Sequence, residues 1–266
     1  MRKSGCVHFL FVAFPEGVRG HQRIWFWSVL FVCSWCGLYG RDAGAQISES
    51  EPIRAIQQNI QALESHDRLQ ADPKRLTQLA GWYLELGGLS RESKEQRISY
   101  YEHGARLAKE ALVQEETLAD AHFYYAANLG RAAELNGVMA SALTVQELKL
   151  HATRAVELQE DHAPALHMLG RMLEELPWFL GGDEDAALQY LQKAVLADAH
   201  DDHARLDLAK LYVKRKNMTA AKKELQKIVQ RTPSEQDWNW EFRYHPEAEK
   251  MLEELADNPR VSAESH

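Results

Sequence analysis

Arg131, Arg171 and Lys210 recur at near-equal intervals along an otherwise acidic stretch of sequence. Guanidinium forks suit carboxylates, and a line of fixed positive charge concentrates field where an anion could sit. The chemistry on offer is recognition of a carboxylate, carried by a small acid or by a partner segment. The competing assignment is ion pairing within the chain, with neighbours such as Glu134, Glu174 or Asp207. Metal binding would fall to the histidines. His200 and His203 lie near Asp198, Asp201 and Asp202, and His162 and His167 are five apart, but no HExxH or dense ligand set results. No metal and no cofactor is expected. The chain contains no GxSxG, no phosphate-binding Walker loop and no GxGxxG, so no catalytic group is assigned and an enzyme is not expected.

Charge and cysteine content narrow the classes further. The net charge is −8. Residues 1–45 are net basic, with Arg2, Lys3, Arg19, Arg23 and Arg41 against Glu16 and Asp42, so the remainder carries −11. Such a body repels phosphate backbones, and nucleic acid is not an expected partner. Cys6, Cys33 and Cys36 all precede residue 37, which leaves the body without a disulfide or a cysteine metal site.

The elements that must position these residues follow from a period of ~34 residues. In residues 202–235, Leu208, Ala209 and Tyr212 occupy the seventh, eighth and eleventh places, with Ala221, Leu225, Ile228 and Pro233 behind them. Small residues let two helices approach and larger ones fill the seam. Residues 163–201 repeat the pattern with Leu166, Leu169, Gly170, Leu173, Ala187, Leu191, Ala194 and Val195. Residues 119–162 do so with Tyr125, Ala126, Leu129, Leu148, Ala152 and Ala155, and residues 73–118 with Leu76, Leu79, Ala80, Tyr83, Gly104, Ala108 and Ala111. Insertions fall around Gly87-Gly88-Leu89-Ser90, around Gly137 and around residues 176–183. The expected fold is all-α, a tetratricopeptide-like helical-hairpin solenoid of about four helix pairs with flanking helices.

The register places Thr77, Leu84, Phe123, Ala127, Arg131, His167, Arg171, His203, Leu206, Lys210 and Val213 on a concave face. Of these, Phe123, Ala127, Arg131, His167, Arg171, Leu206 and Lys210 form the candidate binding set. Trp178 and Phe179, in the turn before Gly181-Gly182-Asp183, are a second candidate, as exposed anchors for a partner. Their turn also has a purely structural explanation, with Pro177 ending one helix and Asp183 capping the next.

Residues 46–72 read as a linker and an amphipathic helix carrying Ile53, Ile56, Ile60 and Leu63, with Pro52 in its first turn. In residues 236–257, Trp238, Trp240, Phe242 and Tyr244 alternate as in an extended segment that closes the array. A capping helix follows from Pro246, with Ala248, Met251, Leu252 and Leu255 inward, and residues 258–266 form a tail.

Residues 1–45 read as a secretory signal peptide, with Arg19 and Arg23 before the apolar run 24–38 and Ala43-Gly44-Ala45 after it. The long prefix 1–20 suggests a start near Val18. The expected location is periplasmic or secreted, the alternative being an inner-membrane anchor formed by residues 24–39.

Residues 123–131, Leu169-Gly170-Arg171, residues 176–183 and residues 205–212 together resemble the TatT-like T-component family of TRAP transporters. The resemblance implies an accessory component that associates with a periplasmic substrate-binding protein and serves a small organic acid or hydrophobic ligand. It also implies a trimer. The alternative is a general envelope assembly scaffold with no ligand of its own. The same short motifs occur in other tetratricopeptide proteins, among them those resembling the regulator of microtubule dynamics group.

Overall fold

A computed structural model describes residues 39–65, 72–233, 237 and 239–257, with the backbone alone for 39–50. Residues 1–48 and residues 49–266 form two compact units. The apolar run 24–38, read from sequence as the core of a signal peptide, lies outside the described residues, as do Trp238 and the expected tail 258–266. All regular structure among the described residues is helical. The helices are α1 (Tyr39–Glu64), α2 (Pro73–Leu89), α3 (Lys94–Gln114), α4 (Ala119–Asn136) and α5 (Val138–Leu158), then α6 (Ala163–Glu175), α7 (Glu184–Ala197), α8 (Asp202–Lys214), α9 (Met218–Gln230) and α10 (His245–Ala256). None of these is long and apolar enough to cross a membrane.

The boundaries follow from capping chemistry. Asp72, Ser93, Asp183, Asp201 and Asn217 each accept a backbone N–H of the following helix on a side-chain oxygen. His162 does the same through Nδ1, which accepts the Ala165 N–H at 3.1 Å. These groups satisfy donors that the first turn of a helix leaves free. Pro73 and Pro164 occupy first-turn positions, where the missing N–H costs nothing.

Consecutive helices from α2 to α10 pack on one another, and the first helices of adjacent pairs also touch: α2 on α4, α4 on α6, α6 on α8. This is the nearest-neighbour pattern of stacked hairpins. The periodic positions form the core. Ala80, Ala108, Ala126, Ala152, Ala187, Ala194, Ala209 and Ala221 are fully buried, and Leu166, Leu191, Leu208, Leu225 and Ile228 fill the seams between them. Polar ties cross the stack. Asn128 of α4 donates to the Ala80 carbonyl of α2 at 3.0 Å and fills the space beside Gly104 of α3. Arg205 of α8 pairs with Glu224 of α9 at 2.6 Å while donating to the Ala199 carbonyl at 2.7 Å. Ile56 and Ile60 seat α1 against Leu79 and Leu86, and Tyr83 donates to Glu64 at 2.9 Å.

The structure departs from the sequence expectation in four places. Pro52 lies inside α1, because the helix begins at Tyr39. The insertion around Gly87 and Gly88 lengthens α2, which runs on to Leu89. The surplus residues around Gly137 form no loop. They lengthen α4 and α5, which meet at that single glycine with φ 106°. The segment Trp240–Tyr244 is a π-helical turn running directly into α10, not an extended strand. Its anchors explain the winding: the Trp240 indole N–H donates to the Ile228 carbonyl at 2.9 Å, and Arg231 lies over that ring.

Candidate functional site

The first helices α2, α4, α6 and α8 contribute one continuous face, and its polar centre is Asp207 of α8. Asp207 is buried. His167 of α6 donates from Nε2 to its Oδ2 at 2.9 Å. His203, one turn earlier on α8, places Nε2 3.5 Å from the same oxygen, and Arg171 of α6 places Nε 3.4 Å from it. Lys210 approaches the other oxygen at 3.5 Å. Burial opposes ionisation of Asp207, but the His167 hydrogen bond and the surrounding positive charge prevail and hold its pKa well below the usual carboxylate range.

His203 lies between two rings. His167 meets it edge-on at 4.5 Å, and Tyr244, from the turn before α10, stacks on it at 5.4 Å. Burial, followed by the charge of His167, pushes the His203 imidazole down to about 3, against the pull of Asp207. Burial likewise pushes the Tyr244 phenol up. The turn carrying Tyr244 is thus part of the face.

Arg131, Arg171 and Lys210 are each engaged within the chain. Arg131 pairs with Glu134 at 3.0 Å. Arg171 pairs with Glu174 at 3.1 Å and also contacts Glu175. Lys210 pairs with Glu247 of α10 at 2.8 Å. The structure therefore brings Arg171, His167 and Lys210 together around Asp207. Phe123 is half-buried against Tyr124 and His162. Ala127 is buried, and Leu206, at 1% exposure, packs in the core with Ala209, Leu225 and Ile228 rather than facing a groove. Thr77 is also buried, its hydroxyl donating to the Pro73 carbonyl at 2.8 Å.

A second feature lies beside α5. Trp178 and Phe179, in a 3-10 turn, are 85% and 67% exposed, and Leu180 beside them is exposed too. The turn is fixed from below: Gly181 has φ 92°, and a Cβ on Gly182 would fall 1.7 Å from the Leu176 carbonyl oxygen. Gly181 abuts Lys149 of α5, where a Cβ would lie 3.8 Å from Nζ. That helix exposes Val138, Met139, Leu143 and Leu150. Sequence reasoning finds the aromatic pair and misses this apolar stripe. Part of its signal is present nonetheless: Val138, Met139 and Leu143 are apolar residues in the inserted stretch around Gly137.

Hairpins stacked through their first helices, with alanine seams and capped starts, define a tetratricopeptide-type helical-repeat protein. Such proteins bind other proteins. Residues 45–175 match the family described as Regulator of microtubule dynamics protein 1-3, and residues 179–239 match Tetratricopeptide repeat. Regulator of microtubule dynamics protein 1 of Bos taurus is 27% identical over 166 residues, covering 56% of this chain and 52% of that protein. The protein of the same name in Pongo abelii is 29% identical over 111 residues, covering 41% of this chain and 35% of its own length. The chain thus spans about half the length, or less, of these curated relatives. A thermophilic TPR protein of Thermus thermophilus superposes with a TM-score of 0.54 at 17% identity, over 75% of this chain and 98% of that one. The likeness is one of fold.

These matches correct the transporter-component resemblance. The motifs that suggested it serve packing and turns: Leu169 is buried, a Cβ on Gly170 would lie 2.8 Å from Leu191, and Gly182 closes the turn. Leu169 and Gly170 hold packing positions that recur through arrays of this kind, whereas Gly182 belongs to the inserted turn. The trimer and the periplasmic binding-protein partner, which that resemblance implied, lose their basis with it.

Proposed function

We propose that this chain is an adaptor that binds another protein through the apolar stripe of α5 and the Trp178–Leu180 turn, with no catalytic step of its own. The carrying observation is a group of large apolar side chains held in solvent on a rigid support, Trp178 foremost. Aromatic side chains of this kind supply most of the binding free energy at protein interfaces. The first-helix face is the secondary surface, since its basic side chains already hold acidic partners within the chain.

The test uses the full chain immobilised as bait in extract of its native cells, compared with a Trp178→Ser, Phe179→Ser double variant. Both positions are exposed, so helical content is expected to stay the same while capture of the partner falls roughly tenfold or more. Undiminished capture by the double variant overturns this surface. Loss only on charge reversal of Arg171 assigns binding to the first-helix face instead.

The match over residues 45–175 favours a second reading. The relatives carry the name regulator of microtubule dynamics, and a cytoskeletal partner for this chain would be detected as co-sedimentation with assembled microtubules. The basic, apolar and Ala-Gly-Ala pattern of residues 19–45 supports export, and with it an envelope scaffold. Fractionation decides between the two, because recovery of the protein in the cytosol removes the envelope scaffold.

A further inference from the structure

We propose that His167, His203 and Asp207 form a binding site for a divalent transition-metal ion of the zinc class. One ligand atom from each, namely the two imidazole nitrogens and a carboxylate oxygen, lies within 4.8 Å of the others. The two Nε2 atoms stand 2.9 and 3.5 Å from Asp207 Oδ2. Tetrahedral zinc with ligands at about 2.0–2.1 Å sets neighbouring ligand atoms roughly 3.3 Å apart, and the two nitrogen-to-carboxylate distances bracket that value. An ion enters by small side-chain rotations once His167 gives up the Nε2 proton it donates to Asp207; that proton is released to solvent or replaced by protonation at Nδ1.

The support is rigid. His203 and Asp207 are one turn apart on α8, the spacing that puts both on one side of a helix. His167 comes from α6, which packs directly on α8. Tyr244 stacks on the His203 ring and limits its rotation. His203 keeps about a third of its side chain exposed, which leaves an entry path and an open coordination position for water or a partner's side chain. Two imidazoles with a single carboxylate suit zinc, cobalt or nickel, whereas magnesium and calcium prefer sets made of oxygen alone.

Arg171 and Lys210 compete with an ion for Asp207, yet neither is left unpaired by its arrival. Arg171 retains Glu174 and Glu175, and Lys210 retains Glu247 at 2.8 Å. The arrangement accounts for a carboxylate on which two imidazoles, a guanidinium and an ammonium converge. The spacing His203-x-x-x-Asp207 was legible in the sequence. The third ligand, 36 residues before His203 on another helix, needed the stack to bring it in.

The experiment is zinc titration of the full chain by calorimetry. Cys6, Cys33 and Cys36 are replaced by serine so that thiolates do not contribute, and helical content is followed by circular dichroism. One ion per chain is expected, with cobalt giving the visible band of a low-coordinate nitrogen and oxygen site. His203→Ala removes a partly exposed ligand and is expected to weaken binding by roughly tenfold or more at unchanged helicity. Arg171→Gln removes the competing cation and is expected to tighten binding. Absence of saturable zinc binding overturns the site, as does unchanged affinity in a folded His203→Ala protein. A second variant, Asp207→Asn, reads the same site at a different ligand, and undiminished binding there overturns it equally.

Discussion

At the scale of single residues, one pair of histidines contributes to how the chain responds to acid. His122 of α4 and His151 of α5 share a 2.8 Å contact between their Nδ1 atoms, so one must donate and the other accept. Burial, then the charge of His122, lowers the His151 pKa, and Lys109 acts in the same direction while Glu147 opposes it. The neighbouring Tyr125 donates to Glu147 at 2.6 Å, and its phenol is pushed up to about 12, chiefly by burial. The sign follows from linkage. A base whose folded pKa lies below its unfolded value is less protonated in the folded state. Stability is therefore fully present at neutral pH and declines as pH falls through the unfolded value of about 6.5. His151→Phe keeps a ring and removes the titration, so the difference in melting temperature between neutral and mildly acidic buffer is expected to shrink. Identical pH dependence in the variant and the parent would show that this pair contributes nothing. None of it was legible in the sequence, where the two histidines are 29 residues apart and nothing marks them as partners. What was legible at this scale was the alanine and leucine set of the repeat, because burial there depends on position in the period and not on a particular partner.

Among elements, the sharpest contrast is between two adjacent glycines in α2. Gly87-Gly88 reads from sequence as part of an insertion in the repeat. The helix nevertheless continues to Leu89. Gly87 is there for space: a Cβ would lie 2.6 Å from the ring of Tyr101, which is fully buried in α3. Gly88 has no such role, as its nearest neighbour would be the Tyr101 hydroxyl at 4.0 Å. The same substitution thus has opposite signs at successive positions. Gly87→Ala is expected to destabilise by about 1–3 kcal/mol through overpacking against a buried ring. Gly88→Ala is expected to stabilise by about 0.5–1 kcal/mol through lower backbone entropy in the unfolded chain. Urea unfolding of the two variants checks both, and equal effects would mean that Tyr101 does not hold α2 and α3 together. Spacing alone could not distinguish these glycines, since one depends on an aromatic residue of the next helix. The π-helical turn Trp240–Tyr244 was hidden for a related reason. Alternating aromatics imply a strand only when nothing else fixes them, and here the Ile228 carbonyl, Arg231 and His203 do so.

For the molecule as a whole, the contact pattern determines how damage spreads. Each helix of the array touches its neighbours in sequence, and the first helices also touch one pair further on. Stability is then close to a sum of local interfaces rather than the property of one core. The fold class was legible because the ~34-residue period records that arrangement directly. The partner was not, because side chains that look free in the sequence are engaged by acidic groups brought in by other helices, as Lys210 is by Glu247. The same locality predicts the outcome of loosening one end. Trp240 ties the closing segment to α9 through the Ile228 carbonyl and packs with Leu206, Leu225, Ile228 and Leu255. Trp240→Ala removes that tie and part of the apolar cover, at an expected cost on the order of 2–3 kcal/mol, less than for a fully buried tryptophan. In a nearest-neighbour stack the loss stays local. Amide hydrogen exchange is expected to quicken in α8, α9 and α10, while α2, α3 and α4 keep their protection. Acceleration of equal size in every helix would mean that the chain unfolds as one cooperative body and that its hairpins do not act as separable units.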